Sequence, residues 1–423
     1  MPIETSNNQE ALDRALSLVK KCITPHGFLA NLNETDNYRR IWGRDGIIIG
    51  LAALMSEDEN MTEAMCRTLE TLARYQGPHG EIPSNVDPQS GRISYGGTTG
   101  RVDANLWFII GCGEYWQATK DHDFIERLLP VIEKVAFLLG AWEFNNRGLL
   151  YVPATGDWAD EYLHNGYILY DQLLYLQALR TLYHLHREVG RGGEDALQDK
   201  IGQLKRMIQA NYWFGSEDTI PDDVYHEILY KKGYKAADHC ARRYWLPFFS
   251  PHGYGYRFDG LANVLASLLD VATSSRQQSV DAYIDQEIVT AGIRLLPAFY
   301  PVIQPLDKDW EDLQMTFSYS FKNRPYEFHN GGLWAMITGF HVADLARREK
   351  THLAITYLSG IHSANAMAMA DRPWSFPEYV HGHDYTPGGR PHQCWSASAA
   401  MMGHYAIKGK EVFRIHEPAT PVQ

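Results

Sequence analysis

Two kinds of helical segment alternate along the chain, and this alternation is the strongest constraint on what it can fold into. Six segments are amphipathic and charged, at 8–23, 59–76, 121–141, 194–212, 278–293 and 350–366, each with one apolar stripe and one wet face. Six others carry few charges or none, at 45–56, 103–118, 168–186, 259–271, 330–346 and 393–407. A helix that is apolar nearly all round has to be covered nearly all round. Six buried helices alternating with six half-exposed ones describe an all-α (α/α)6 toroid, with the uncharged set as its inner ring and the charged set outside. A simple helical repeat array would also alternate, but no fixed period of roughly 20–50 residues is evident.

No Ser/Gly-rich linker, low-complexity tract or shift of composition divides the 423 residues, so residues 1–423 are expected to form a single domain. The formal net charge of −12 argues against nucleic acid, whose binding depends on clustered Lys and Arg. The opening residues lack a basic and apolar leader, and no apolar stretch nears the roughly 20 residues of a membrane span, so no membrane partner is expected. The five cysteines are scattered without metal spacing and read as idle thiols of a cytoplasmic protein. Self-association into a homo-oligomer stays open. The 11 Trp and 25 Tyr exceed what core packing calls for and suit flat apolar platforms with a polar rim, as carbohydrate sites use.

In an up-and-down toroid every loop leading into an inner helix lies at one end of the barrel, and the unusual local sequences fall there. They are Ile41-Trp42-Gly43-Arg44-Asp45, Gly96 to Asp103, Thr155-Gly156-Asp157-Trp158-Ala159-Asp160-Glu161-Tyr162, Tyr254 to Asp259, Tyr326 to Gly332, and the run from Phe376 to Trp395. The opposite connections are short and plainly polar, as in Ser56-Glu57-Asp58-Glu59. Asp and Gly readily cap helices, but caps alone do not call for neighbouring Trp, Arg and paired acids. One mouth of the barrel is therefore the expected site. The aromatic segment 213–258, between the seventh and eighth helices, is expected to add a loop or small hairpin over it.

Cleaving a glycosidic bond needs one carboxylic acid to protonate the leaving oxygen and a second carboxylate on the other sugar face. The mouth offers Asp45, Asp103, Asp157, Asp160, Glu161, Asp259, Glu327, Glu378 and Asp384. A proton donor is favoured by apolar or like-charged neighbours, which Asp157-Trp158-Ala159-Asp160-Glu161 supplies, leaving those three acids as rivals for the role. Glu378, in a long Gly- and His-rich loop, suits a projecting base. Arg44 beside Asp45 suits a hydroxyl-binding ion pair. No His-Glu-x-x-His, nucleophile elbow or phosphate-cradling loop is present, so neither a metal nor any cofactor is expected.

At these same residues the chain resembles the (α/α)6 glycoside hydrolases, in particular the neutral/alkaline invertases and the amylo-α-1,6-glucosidase domain of glycogen debranching enzymes. Trp42-Gly43-Arg44-Asp45 is similar to the first site motif of the debranching enzymes. Asp103-Ala104-Asn105-Leu106-Trp107, Phe328-His329-Asn330-Gly331-Gly332-Leu333-Trp334, and Phe376-Pro377-Glu378-Tyr379 with Gln393-Cys394-Trp395-Ser396 resemble invertase motifs. The resemblance runs in order from about residue 40 to 407. It implies Asp160 as general acid and Glu378 as second carboxylate of an α-glycosidase, acting as a base on water in an inverting reaction or otherwise as a nucleophile. Trp42, Arg44, Asp45, Asp103, Trp107, Asp157, Trp158, Glu161, His329, Asn330, Tyr379, Gln393 and Trp395 would bind a small carbohydrate. It departs at the acid, where Trp158-Ala159-Asp160-Glu161 replaces the usual hydrophobic-Asp pair. Sucrose hydrolysis is one specific reading. A sugar epimerase of the N-acylglucosamine 2-epimerase type, which shares the toroid and works with inward histidines, is the alternative that His329, His392 and His404 keep open.

Overall fold

The computed structural model describes residues 2–33, 38–215, 220–288, 292–316 and 319–418, with side chains from residue 8. Its helices are α1 (Pro2–Lys21), α2 (Asp45–Ser56), α3 (Glu59–Arg74), α4 (Asp103–Thr119), α5 (His122–Ala141), α6 (Leu169–Val189), α7 (Glu194–Asn211), α8 (Glu227–Ala236), α9 (Gly260–Leu268), α10 (Ser274–Tyr283), α11 (Trp310–Gln314), α12 (Ala335–Arg347), α13 (Thr351–Ala366) and α14 (Cys394–Ile407). The uncharged segments α2, α4, α6, α9, α12 and α14 pack each on the next, and α14 closes on α2. They form the inner ring of an all-α toroid. Outside it, α1 lies on α14, α3 on α2 and α4, α5 on α4, α7 on α6, and α13 on α12 and α14.

Burial follows the residue pattern that defines the two classes. In α4 every residue from Asp103 to Trp116 is buried, whereas α3 buries only the stripe Met61, Ala64, Met65, Thr68, Leu69, Thr71 and Leu72. The outer helices α3 and α5 start on side-chain caps: Asp58 accepts the Met61 N–H and Asp121 the Phe124 N–H, each satisfying an otherwise orphaned first-turn donor. At the end away from the mouth, Glu57 and Lys120 take left-handed conformations that stop the inner helices sharply, so the return turns are short.

The mouth is built from short paired strands that the helical periodicity does not reveal. Ile41-Trp42 pairs with Asn85-Val86, Tyr167-Ile168 with Phe248-Phe249, and Phe258-Asp259 with Phe299-Tyr300. Leu333-Trp334 lies between Leu296-Pro297 and Tyr379-Val380. This pairing explains why α12 begins at Ala335 rather than at residue 330: the preceding residues turn through left-handed Phe328 and Gly331 and then join the strand. The segment 213–258 carries α8 and a hairpin, Phe248–Ser250 with Gly253–Tyr254, that extends the mouth sheet at Tyr167-Ile168. Helix α10 begins at Ser274 and passes into a π-turn at Ile284–Ile288, while 289–291 of the expected 278–293 helix lie outside the described residues.

The far end is closed by the C-terminal segment. Phe413 stacks with Trp107 and Phe340, and buried Glu114 on α4 accepts the backbone N–H groups of Arg414 (2.8 Å) and Ile415 (3.3 Å). The cysteines depart from the expectation of idle thiols: Cys22 and Cys394 form a disulfide joining the end of α1 to the start of α14, while Cys66, Cys112 and Cys240 are free. Among the described residues no helix is long and apolar enough to cross a membrane.

Candidate active site

Trp42-Gly43-Arg44-Asp45 runs from a strand straight into α2. The Gly43 N–H donates to the Ser84 carbonyl at 2.8 Å, and a Cβ at position 43 would come within 2.8 Å of the Pro83 carbonyl oxygen, so this close crossing needs glycine. The turn sends Arg44 inward, where it donates to Asp103 Oδ2 at 2.8 Å and lies 3.9 Å from Asp45. Tyr170 donates to the same Asp103 oxygen at 3.2 Å. Burial pushes the Asp45 carboxyl up to about 6, against the pull of Arg44.

The acid loop sorts its three carboxyls by surroundings. Asp157 is sealed against His164, with Oδ2 3.3 Å from Nδ1. Asp160 is the most open: its side chain is 27% exposed, against 1% for Asp157 and 13% for Glu161. Arg101 donates to Asp160 Oδ2 at 2.5 Å and to the Thr155 carbonyl at 2.5 Å. Glu161 pairs with Lys322 at 3.0 Å, and its carbonyl accepts from Thr316 (3.0 Å) and Asn323 (2.6 Å). Burial raises the Glu161 carboxyl while Lys322 opposes the rise. Between these acids Trp158 is buried edge-on to His329 and Trp334, with ring centroids 5.0 and 5.6 Å away.

Across the mouth Glu378 is only 5% exposed, yet both of its oxygens are engaged. The Tyr38 hydroxyl donates to Oε1 at 2.9 Å and the Arg390 backbone N–H to Oε2 at 3.1 Å. Burial raises the Glu378 carboxyl, and these two donors work against it. Burial also pushes the Tyr38 hydroxyl well above its ordinary range, reinforced by the charges of Glu378, Asp160 and Asp45. One phenol therefore lies within electrostatic reach of all three carboxyls, so Asp45, Asp160 and Glu378 stand near one another at the mouth. The loop presenting Glu378 is strained: Trp374, Phe376 and His392 hold left-handed φ values of 58°, 46° and 61°, which bulky residues keep only when their surroundings dictate it. Backbone bonds from Gln393 to Phe376 (3.0 Å) and from Cys394 to Ala30 (3.0 Å) supply that support.

The other expected residues divide into two sets. Trp42 lies near Tyr38 at the rim, Arg44 lies over Trp395 at 6.0 Å, and Tyr379 stacks on Trp334 at 6.0 Å. His329 is buried between Trp158 and Trp334, and burial holds its ring well below its ordinary pKa. Several buried atoms here have no hydrogen-bond partner among the described residues: Trp158 Nε1, His329 Nδ1, Trp395 Nε1, and both amide atoms of Gln393. Such groups suit a hydroxyl-rich ligand. The structure does not bring Trp107 or Asn330 to this space. Trp107 donates to Tyr170 at 2.7 Å from within the stack under the floor, and the Asn330 side chain bonds backbone groups of Ile303 and Asn323. Sequence reasoning passed over Tyr38, Arg101, His164, Thr316, Lys322 and Asn323. For Arg101 there was a signal, since it stands in the quoted Gly-rich loop. The others stand in no motif.

The family model for alkaline and neutral invertase matches residues 239–408, and that for amylo-alpha-1,6-glucosidase matches residues 18–144. The chain is 22% identical to the probable alkaline/neutral invertase A, chloroplastic, of Arabidopsis thaliana, over 94% of this chain and 69% of that protein. It is also 22% identical to cytosolic invertase 1 of Oryza sativa subsp. japonica, over 94% of this chain and 77% of that one. Among solved structures, the GH63 mannosylglycerate hydrolase from Thermus thermophilus in complex with Tris superposes with a TM-score of 0.64 at 14% identity, covering 93% of this chain and 99% of that one. By fold and by sequence likeness along its length, the chain is a glycoside hydrolase of the (α/α)6 kind, similar to the alkaline/neutral invertases and the amylo-α-1,6-glucosidases.

Proposed function

We propose that this single-domain protein hydrolyses the α-glycosidic bond of a small soluble sugar or glycoside with inversion, Asp160 acting as general acid and Glu378 as general base. The observation that carries this reading is the environment of Glu378: a buried carboxylate fixed by Tyr38 and the Arg390 N–H, with Asp160 and Asp45 within electrostatic reach of the same phenol. Of the three rival acids, Asp160 is the most exposed, while Asp157 is closed on His164 and Glu161 is clamped by Lys322, Thr316 and Asn323. In the reaction Asp160 protonates the leaving glycosidic oxygen. A water on the opposite face attacks the anomeric carbon and passes its proton to Glu378. Arg101 holds only Oδ2 of Asp160, which leaves Oδ1 as the oxygen that hands the proton to the leaving group.

The hairpin at 248–254 and the closed far end favour a short substrate over a polymer. Sucrose is one candidate among neutral disaccharides and glycosides, without a specific contact to single it out. The epimerase alternative gains nothing from the histidines: among the described residues His329, His392 and His404 make no hydrogen bond or ring contact with one another. The test is a reducing-sugar screen over sucrose, trehalose, maltose, isomaltose and glucosylated polyols, with the product anomer followed by NMR. Release of an inverted anomer, lost in both Asp160→Asn and Glu378→Gln, is expected. Glu378→Gln should lower kcat by about 10²-fold or more with its helical circular dichroism unchanged. A retained anomer, or full activity in Glu378→Gln, would overturn the assignment.

A further inference from the structure

Helix α8 departs from the charge of the chain that carries it. In a protein with a formal net charge of −12, its ten residues Glu227-Ile228-Leu229-Tyr230-Lys231-Lys232-Gly233-Tyr234-Lys235-Ala236 hold three lysines and one glutamate. That glutamate pairs with Lys231, so the helix keeps a positive excess. Helical spacing sorts its side chains onto two faces. Tyr230 and Tyr234 pack their rings on Phe214, and Gly233 lets the helix press on the 248–254 hairpin, since a Cβ there would come within 2.4 Å of the Tyr254 ring. The Tyr256 hydroxyl fastens the same contact by donating to the Gly233 carbonyl at 3.1 Å. His226, Leu229, Lys232 and Ala236, spaced by three, three and four residues, share a second face. Between that face and the turn Pro251-His252-Gly253 lies a cleft of about 390 Å³. Small-molecule sites commonly have about 300–1,000 Å³.

The lining of this cleft is chemically divided. Leu229, Ala236, Pro251 and the Tyr256 ring give it an apolar surface, while Lys232, His226 and His252 bring nitrogen donors, and among the described residues no aspartate or glutamate lines it. Lys232 has no acidic partner among the described residues, unlike Lys231 beside it. The Leu229 N–H donates to His226 Nδ1 at 3.3 Å, so the proton of that ring sits on Nε2, where a ligand can accept it. An apolar ring surface beside three donor-bearing side chains is complementary to a ligand that joins a ring-shaped body to an anionic head. A phosphomonoester suits the donors better than a carboxylate, because it offers three terminal oxygens and close to two negative charges. On an acidic protein the overall field repels such a group from most of the surface, which leaves a positive cleft as the place where it can dwell.

We propose that the cleft between α8 and the 248–254 hairpin is a second binding site, separate from the sugar pocket, for a phosphomonoester carried on a sugar or a nucleoside. Lys232, His226 and His252 take the phosphate, and Leu229, Pro251 and Tyr256 lie against the ring. The site shares no residue with the carboxylates and aromatic rings of the mouth, so it stands whether or not Asp160 and Glu378 have the roles given to them above. It nevertheless adjoins the mouth. The hairpin that forms one of its walls pairs with Tyr167-Ile168, the strand leading into α6, and its Phe248 ring packs on His164 with centroids 5.1 Å apart. His164 in turn lies 3.3 Å from Asp157 in the acid loop.

The test is isothermal titration calorimetry of the full chain with glucose 6-phosphate, adenosine 5′-monophosphate and inorganic phosphate. At least one of the two esters should bind at one equivalent per chain and about 10-fold more tightly than inorganic phosphate, because its ring adds apolar contact. The tighter of the two identifies the body that carries the phosphate. Lys232→Gln should weaken that ester about 10-fold, as expected for one lost hydrogen bond to a charged group. Ala236→Phe, which fills the cleft and leaves its charge alone, should weaken it as much. Lys235→Gln removes an equal charge from the same helix outside the cleft and should change nothing. All three positions are exposed, and circular dichroism checks that each variant is folded. Binding of neither ester overturns the proposal, and so does an affinity that inorganic phosphate matches. An equal loss in Lys232→Gln and Lys235→Gln would reveal a diffuse charge effect in place of a site. Loss of the ester in Glu378→Gln would put it in the sugar pocket and overturn the second site as well.

Discussion

Glu378 is held by a phenol, a backbone amide and a glycine. Because the Tyr38 hydroxyl donates to Oε1, it favours the ionised carboxylate that a base has to be. Tyr38→Phe removes that donor, so the Glu378 pKa rises and a higher pH is needed to ionise it. The acid limb of the kcat/KM profile should move to higher pH, with kcat at neutral pH reduced about 10-fold and KM little altered; an unmoved limb would leave Tyr38 a packing residue. Gly389 has a φ of +72°, and a Cβ there would collide with the Glu378 carboxyl. Gly389→Ala should therefore displace the base and remove most activity while shifting Tm only slightly, which a thermal melt and a turnover assay on one preparation would check. Glu378 is legible in the sequence because a short motif surrounds it, and Arg44 and Asp45 are legible for the same reason. Tyr38 bonds Glu378 across 340 residues, and Lys322 and Asn323 reach Glu161 across 161 and 162. No local pattern marks partners that far apart.

At the scale of elements, the helices are readable because each reports its own surroundings: the charge-free runs of α2, α4 and α14 can exist only where both faces are covered. The mouth strands are unreadable since each is only two or three residues long and is defined by its neighbour. The two short helices α8 and α11 escape for a related reason, lying in segments whose composition suits a loop as well as a helix. The C-terminal segment yields an element-scale prediction through Glu114. Burial pushes that carboxyl up to about 7, while the N–H groups of Arg414 and Ile415 oppose the rise. Its unfolded value is about 4.3. A raised folded value means that its contribution to stability is fully present below about pH 4 and is lost as pH rises through about 7. Glu114→Gln should flatten this part of the Tm-against-pH curve between pH 5 and 8, raising Tm most at the alkaline end. A curve parallel to the wild type's would show that other groups set the dependence.

For the whole molecule, the proposed site draws on the loops leading into α2, α4, α6 and α14, so partial folding cannot yield a partial site. The six inner helices and the disulfide between Cys22 and Cys394 tie the two ends of the chain into the same ring. Fragments that stop before α14 should accordingly remain protease-sensitive and bind a hydrophobic dye, even though most helices are present; a compact, resistant fragment ending near residue 390 would contradict this. The closure of α14 on α2 also bears on how the chain is made. Synthesis releases α2 long before α14, one of the surfaces that covers it. Until then an almost uncharged helix waits without its neighbour, and contacts this distant in sequence form slowly. Most of the interval between translation and a working enzyme is thus a period of aggregation risk, in which a chaperone able to shield α2 would govern how much active protein a cell obtains.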